Sequence, residues 1–257
     1  MYVIELRFEC FDNTTISIAE KAINNYLEAL RANGQVLGRE FAVAFNEGEF
    51  RCRLLVPEKS SLSQRHNSPW VKDALEGLTE AKILAPREKF IGQDINSETS
   101  TTEIPSWQLL YTSYVHMCSP LRSGDTLQPI PLYQIPSTFN GDHKQVIRWQ
   151  TEWQACDEIQ MAAATKAEFA SAYEIGDVDS DLCRRGWGIR GRIEYLTKIP
   201  TYYYLYRVGG TSLKEEKNRP CPRCGSHDWK LDEPLLDMFH FRCEKCRIVS
   251  NISWDFL

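Results

Sequence analysis

Tyr2, Ile4, Leu6, Phe8 and Cys10 alternate with Glu5, Arg7 and Glu9. A period of two marks a strand with one buried face. Ser17 followed by Glu20 reads as a capping box, and Ala19, Ile23, Leu27 and Leu30 then recur at helical spacing until Asn33-Gly34 ends the run. "EFAVAF" and "FRCRLLV" flank "NEGE" and predict a hairpin. A helix from about Ser68 to Ile83 follows, opened by Ser68-Pro69. The order β-α-β-β-α predicts an N-terminal α/β sandwich, with a ferredoxin-like arrangement among the candidates. A last strand for such a unit is not evident in the pattern.

"GQDINSETSTTE" (Gly92 to Glu103) is polar and reads as a connection, and "SWQLLYTSYVHMC" then reads as a strand. The proline-rich "PLRSGDTLQPIPLYQIP" suits an extended segment rather than a central strand. Val146, Trp149, Trp153, Cys156, Ile159 and Ala163 keep the spacing of a long amphipathic helix. Leu182, Ile189, Ile193 and Leu196 predict another from Ser180 to Lys198, ended by Pro200. "TYYYLYR" is then a strand and "GGTSLKEEKNR" a flexible linker. The expected class is α+β in three parts: 1–91, 92–210 ending in the tyrosine strand, and 211–257.

The chain has 257 residues, 42% of them hydrophobic and 25% charged, enough for a sizeable core. No apolar run approaches the roughly 20 residues of a membrane helix. Glu5, Arg7 and Glu9 interrupt the stretch where a signal peptide needs unbroken apolar residues. A cytoplasmic protein with no membrane partner is expected. Nine cysteines, two close pairs and five scattered, argue for a metal site and core thiols rather than a disulfide framework.

The pairs are Cys221-x-x-Cys224 and Cys243-x-x-Cys246, separated by 18 residues. Each two-residue gap folds a tight knuckle, and four converging thiolates suit tetrahedral zinc. Pro222 stiffens the first knuckle, Gly225 provides its exit, and "DWKL", "DMFHFR" and "RIVSNISW" read as three strands. The expectation is a three-stranded zinc ribbon holding one structural zinc per chain. A module of this size needs the metal to stay folded. Its four cysteines leave no position for a catalytic water.

The formal net charge is −5, and a four-thiolate zinc site would add about two more negative charges. Attraction of the whole molecule to nucleic acid is therefore unfavourable, and any contact needs a local basic patch. One such patch exists. Arg184, Arg185, Arg190, Arg192, Lys198 and Arg207 face only Glu194 between residues 183 and 207, a local excess of five positive charges. Trp187, Tyr195, Tyr202, Tyr203, Tyr204 and Tyr206 interleave with them. Cations beside aromatic faces suit single-stranded nucleic acid. The same tyrosines also suit a strand covered on both faces, with Tyr202, Tyr204 and Tyr206 on one side and Tyr203 and Leu205 on the other. "GWGIRG" (Gly186 to Gly191) spells a dinucleotide fingerprint but lacks the preceding strand and the acid about 20 residues on.

Catalytic motifs are faint. There is no P-loop, H-E-x-x-H or G-x-S-x-G, and Cys118 with His116 or His143 is the one nucleophile–base pairing on offer, against a core thiol. Cys10, Cys52, Cys156 and Cys183 also read as core positions.

"IEYLTKIPTYYYLYR", "CPRCG" and "FRCEKCRIVSNISWDF" together resemble an uncharacterised bacterial family of zinc-ribbon-containing proteins for which nucleic-acid binding is suggested. The likeness runs from Ser180 to the end and reaches back to "SPLRSGD" and "PIPLYQIP". It implies that Cys221, Cys224, Cys243 and Cys246 are the zinc ligands and that Tyr202 to Arg207 is a hallmark segment, and it implies no enzymatic residue. The expected function is a non-enzymatic binding module touching single-stranded nucleic acid through its arginines and tyrosines. The alternative is an acidic module, an immunity protein or adaptor, that engages a basic protein partner.

Overall fold

The computed structural model describes residues 1–256. They form two compact units: Met1–Thr102 with Met117–Ser119 and Gln128–Lys144, and Glu103–His116 with Pro120–Leu127 and everything from Gln145 onward. Among the described residues no helix is long and apolar enough to cross a membrane. The protein is mixed α+β, with one sheet in each unit.

The first unit runs β1 (Tyr2–Glu9), α1 (Ile16–Ala32), β2 (Val43–Asn46), β3 (Glu49–Val56), α2 (Pro69–Glu80) and β4 (Arg87–Gln93). The strand order is β2-β3-β1-β4, antiparallel throughout. Alternation decides which face is covered. Ile4, Leu6 and Phe8 of β1 and Phe50, Cys52, Leu54 and Val56 of β3 share one core with Ile23, Tyr26, Leu27 and Leu30 of α1 and Val71 and Leu78 of α2. The intervening charges form ion pairs on the sheet's other face, among them Arg7–Glu5 and Arg51–Glu49. The hairpin turns at Glu47 (φ +52°) and Gly48 (φ +84°), the left-handed pair that matches strand twist. β4 is the strand the sequence concealed: its residues are mostly exposed on both faces, so no alternation marks it. Helix α1 starts earlier than the expected capping box. Thr15, in extended conformation, caps it by accepting the Ile18 N–H at 3.3 Å. His143 is buried in this unit, its N–H on the Ala32 carbonyl at 2.8 Å and its Nδ1 3.3 Å from Thr138 Oγ1.

The second unit contains β5 (Gln108–Leu110), β6 (Leu121–Ser123), α3 (Lys144–Ala162), α4 (Glu168–Gly176), α5 (Asp181–Thr197), β7 (Thr201–Leu205), α6 (Leu213–Lys217), β8 (Lys230–Leu235), β9 (Phe239–Cys243) and β10 (Ile248–Ser250). These strands make one sheet of order β6-β5-β7-β10-β9-β8. β7 lies parallel to both its neighbours, with Tyr203 opposite Leu110 on one side and Ile248 on the other. The sheet therefore continues across Gly210, where the sequence suggested a boundary.

All of β7 is buried. Tyr203 meets Trp149 of α3 edge-on at 5.8 Å, Tyr202 meets Trp107 at 5.3 Å, and Tyr204 meets Tyr111 at 5.0 Å and Phe239 at 5.6 Å. The rings are core. Tyr206 falls just beyond the strand and donates to Gln160 Oε1 at 3.2 Å. Helix α5 begins at Ser180, whose hydroxyl accepts the Cys183 N–H at 3.1 Å, and ends at Lys198 in the left-handed region (φ +62°). Gly186 of the "GWGIRG" stretch brings α5 against the rings: a Cβ there would lie 2.4 Å from both Trp149 Nε1 and Tyr203 Cε2.

Three expectations are corrected here. The strand expected over residues 106–118 is only Gln108–Leu110. Beyond it the side chain of Gln154 donates to Thr112 Oγ1 and to the Ser113 and His116 carbonyls, while Asp157 accepts the Tyr114 N–H at 2.9 Å. Side chains of α3 thus satisfy the backbone that a ladder would otherwise take. The segment after Gly210 is no loose linker either. It holds α6, whose Glu216 is buried between Arg207 (2.8 Å) and Arg219 (2.7 Å). Cys10, expected in the core, is exposed.

Candidate metal centre

The first cysteine pair closes a knuckle by backbone hydrogen bonding. Gly225 donates to the Cys221 carbonyl at 2.8 Å, and Cys221 donates to the Ser226 carbonyl at 2.8 Å. The first knuckle leaves through Gly225 at φ +72° and the second through Arg247 at φ +54°. The Sγ atoms of Cys221, Cys224, Cys243 and Cys246 all lie within 4.8 Å of one another, a group that could hold a metal ion. Cys224 and Cys243 Sγ are 3.7 Å apart. Tetrahedral metal–sulfur bonds of about 2.3 Å set thiolates about 3.8 Å apart, so the donors present fit a four-coordinate ion. The Ser226 amide and the neighbouring thiols lower Cys224 to about 7, whereas burial raises Cys243 and Cys246. A cation at the centre favours the thiolate at all four.

Helix α5 braces both knuckles with one side chain. Trp187 Nε1 donates to the Cys246 carbonyl at 2.9 Å, and the Arg223 guanidinium, from the first knuckle, lies 3.8 Å over the same indole. Cys243 pairs with Ile248 in the β9–β10 ladder. Trp229 supports the strands beneath, its Nε1 on the Arg219 carbonyl at 2.8 Å and its ring 4.8 Å from Phe241. His227 is exposed, and His240 Nδ1 accepts the Ile252 N–H at 3.2 Å, so both histidines have other settings than the thiol cluster.

Beside the second knuckle lies a constellation that spacing does not reveal. The Tyr202 hydroxyl donates to Glu244 Oε2 at 2.5 Å and accepts from Arg242 Nη2 at 2.9 Å and Arg247 Nη1 at 2.8 Å. Arg247 Nη1 also donates to Glu244 Oε2 at 2.8 Å. Burial, followed by the Glu244 contact, raises the Tyr202 phenol above its ordinary range. The signal in the sequence was an arginine following Cys246, where the first knuckle has glycine.

The six expected recognition residues do not share a face. At about 100° per residue, Arg184, Arg185, Arg192 and Tyr195 fall on one side of α5 and Arg190 on the opposite side. Arg190 is buried, paired with Glu194 at 3.0 Å and stacked 4.6 Å from Trp187. Arg207 is spent on Glu216. Both guanidiniums are thus engaged by carboxylates within the fold. Arg185 pairs with Glu152 at 2.5 Å, and Arg184 lies 3.6 Å from Asp179 and 3.8 Å from Asp181. Arg192 and Lys198 are exposed and flank the ring of Tyr195, itself 65% exposed, at 5.7 Å and 4.2 Å.

The strand expected at His116 and Cys118 is absent, and His116 Nδ1 sits 2.9 Å from Arg122 Nη2. Burial raises Cys52 and Cys183 to about 11, as inert core thiols require.

Fold and site define a two-sheet α+β protein with a four-cysteine centre in its second sheet. Three family models match it, each described as a domain of unknown function: residues 1–92 (DUF8589), 102–206 (DUF2310) and 210–256 (DUF8594). A relative from Haemophilus influenzae (strain ATCC 51907 / DSM 11121 / KW20 / Rd), described as an uncharacterized protein, is 41% identical over 266 residues and covers all of both chains. Another from the same strain, with the same description, is 42% identical over 203 residues, spanning 77% of this chain and 97% of its own. The chain belongs to the family of these Haemophilus proteins.

Proposed function

We propose that the protein is a non-enzymatic binding module whose C-terminal strands β8, β9 and β10 form a zinc ribbon around one structural zinc, and whose helix α5 contacts single-stranded nucleic acid. In the same reading the first unit is a ferredoxin-like α/β sandwich, since β2-β3-β1-β4 with two helices is the order of a split β-α-β pair. Zinc is favoured by the donor set: four thiolates at tetrahedral spacing suit a soft-tolerant ion without geometric preference and leave no open position for chemistry.

The observation that carries the nucleic-acid reading is the exposed phenol of Tyr195 between Arg192 and Lys198. An open aromatic face flanked by cations supports base stacking with phosphate neutralisation on either side. The buried tyrosines of β7 take no part and serve as the floor on which α5 sits. The test is fluorescence anisotropy with a labelled single-stranded oligonucleotide at several salt concentrations. Binding should weaken steeply with salt, and Arg192→Ala with Lys198→Ala should flatten that dependence by about two contacts. Tyr195→Ala should cost about 1–3 kcal/mol of affinity. Salt-insensitive binding, or none, refutes the reading. The net charge of −5 favours a second reading, an acidic module for a basic protein partner, and co-purification of such a partner after nuclease treatment would support it.

A further inference from the structure

Glu244 is held the way a bound anion is held. Its carboxylate meets the Tyr202 hydroxyl at 2.5 Å, Arg247 Nη1 at 2.8 Å and Arg242 Nε at 2.6 Å. The donors belong to a prebuilt setting. Tyr202 is fully buried, and the two guanidiniums lie over its ring at 4.5 Å and 5.2 Å, their side chains 24% and 30% exposed. The carboxylate they grip is the loosest member, with its side chain 63% exposed.

The fit is also incomplete. Arg242 Nε is buried and close to Glu244 Oε1, but its N–H makes no hydrogen bond there. A planar carboxylate cannot meet every donor direction, whereas a tetrahedral oxyanion presents a third oxygen. The backbone adds an independent indication. Arg247 adopts φ +54° at the knuckle exit where its counterpart is Gly225 at +72°. Retaining a side chain in that region costs roughly 1 kcal/mol or more, which implies a use for this one. Glu194, 3.8 Å from Arg247, is already engaged by Arg190 and by the Thr201 N–H at 3.0 Å, so it does not compete for the donors.

We propose that Arg242, Arg247 and the Tyr202 hydroxyl form a binding site for a phosphate group, which the Glu244 side chain fills in the free protein and vacates for the ligand. Glu244 lies between Cys243 and Cys246, so its backbone is pinned by the knuckle and only its side chain needs to swing out. No bond is made or broken. The site deepens the nucleic-acid reading, on which it rests for the phosphate being carried by a strand rather than by a small molecule.

Calorimetric titration of the full chain with inorganic phosphate tests it. Glu244→Gln removes the competing charge and should bind phosphate about tenfold or more tightly than the unaltered protein, the worth of one freed charge-assisted contact. Adding Arg247→Gly, which keeps a left-handed exit available, should abolish that gain while metal content stays unchanged. Should Arg247→Gly lose metal, Arg242→Gln in the Glu244→Gln background takes its place, and a retained gain there overturns the proposal. So does a Glu244→Gln protein no tighter for phosphate than its parent. Oligonucleotides of one sequence with 5′-phosphate or 5′-hydroxyl ends separate the two readings. Tighter phosphate binding with no oligonucleotide binding supports the site and refutes the strand as its carrier. Oligonucleotide binding without any gain for phosphate overturns the site and leaves the α5 reading intact.

Discussion

The three glycines of "GWGIRG" sit in one helix and differ in what surrounds them, which makes a controlled experiment. A Cβ at Gly188 or Gly191 would meet nothing within 4 Å. Alanine there should stabilise by about 0.5–1 kcal/mol each, because glycine in a helix loses more backbone entropy on folding. At Gly186 the same gain is overwhelmed. The added carbon would lie 2.4 Å from Trp149 Nε1, 2.4 Å from Tyr203 Cε2 and 2.8 Å from Trp149 Cε2. Those ring atoms belong to two of the most deeply buried side chains in the protein and cannot swing aside. Overpacking of a closed core costs about 1–3 kcal/mol, and contacts this short belong at the upper end. Gly186→Ala should therefore destabilise by about 1–2 kcal/mol net, after the helix gain is subtracted. Thermal melts followed by circular dichroism would show Gly188→Ala and Gly191→Ala at or above the parent and Gly186→Ala several degrees below it. A Gly186→Ala protein as stable as Gly188→Ala would refute the packing of α5 on the tyrosine strand.

Elemental analysis should find one zinc per chain, reduced to a minor fraction by Cys243→Ser; full occupancy in that variant would exclude the four-cysteine centre. Because Tyr203 pairs with Ile248, stripping the metal should lower hydrogen-exchange protection in residues 203–205 as well as 241–250, and a β7 that stays protected would show that the sheet is not held through β10. Burial pushes His143 down to about 4, so the native state resists its protonation. Stability from this group is complete above the free-imidazole range near 6.5 and is lost as pH falls from there through 4, in all about 3 kcal/mol. His143→Gln should flatten the stability profile across that window, and an unchanged slope would assign the pH dependence elsewhere.

The elements most legible in the sequence are those whose two sides differ. β1, β3, α1 and α5 each bury one face, so their periods stand out, and Ser180 and Ser68 announce helix starts by capping the first turn. β4 was hidden because an edge strand exposed on both faces has no period. The loop after Leu110 is not legible locally, because its fate depends on Gln154 and Asp157, more than forty residues away. Spacing does mark the four cysteines that the fold brings together, because knuckle geometry is local. The Tyr202–Arg242–Arg247–Glu244 grouping is not local, since strand pairing must first bring residue 202 beside residues 242–247. Arg190 and Arg207 show a further limit: counting charges along a segment cannot tell a solvated guanidinium from one folded against its own carboxylate.

The position of β7 has a consequence during synthesis. One flanking strand, β5, leaves the ribosome about ninety residues before it and the other, β10, about forty-five residues after it. Until Ile248–Ser250 emerges, Tyr202, Tyr203, Tyr204 and Leu205 lie on an open edge with unpaired amides on one side, the arrangement most prone to pairing with another nascent chain. The charged stretch from Lys214 to Lys217, the next helix to appear, is well placed as a gatekeeper over that interval. Chains that terminate early in the last segment should consequently aggregate rather than persist as a smaller folded form.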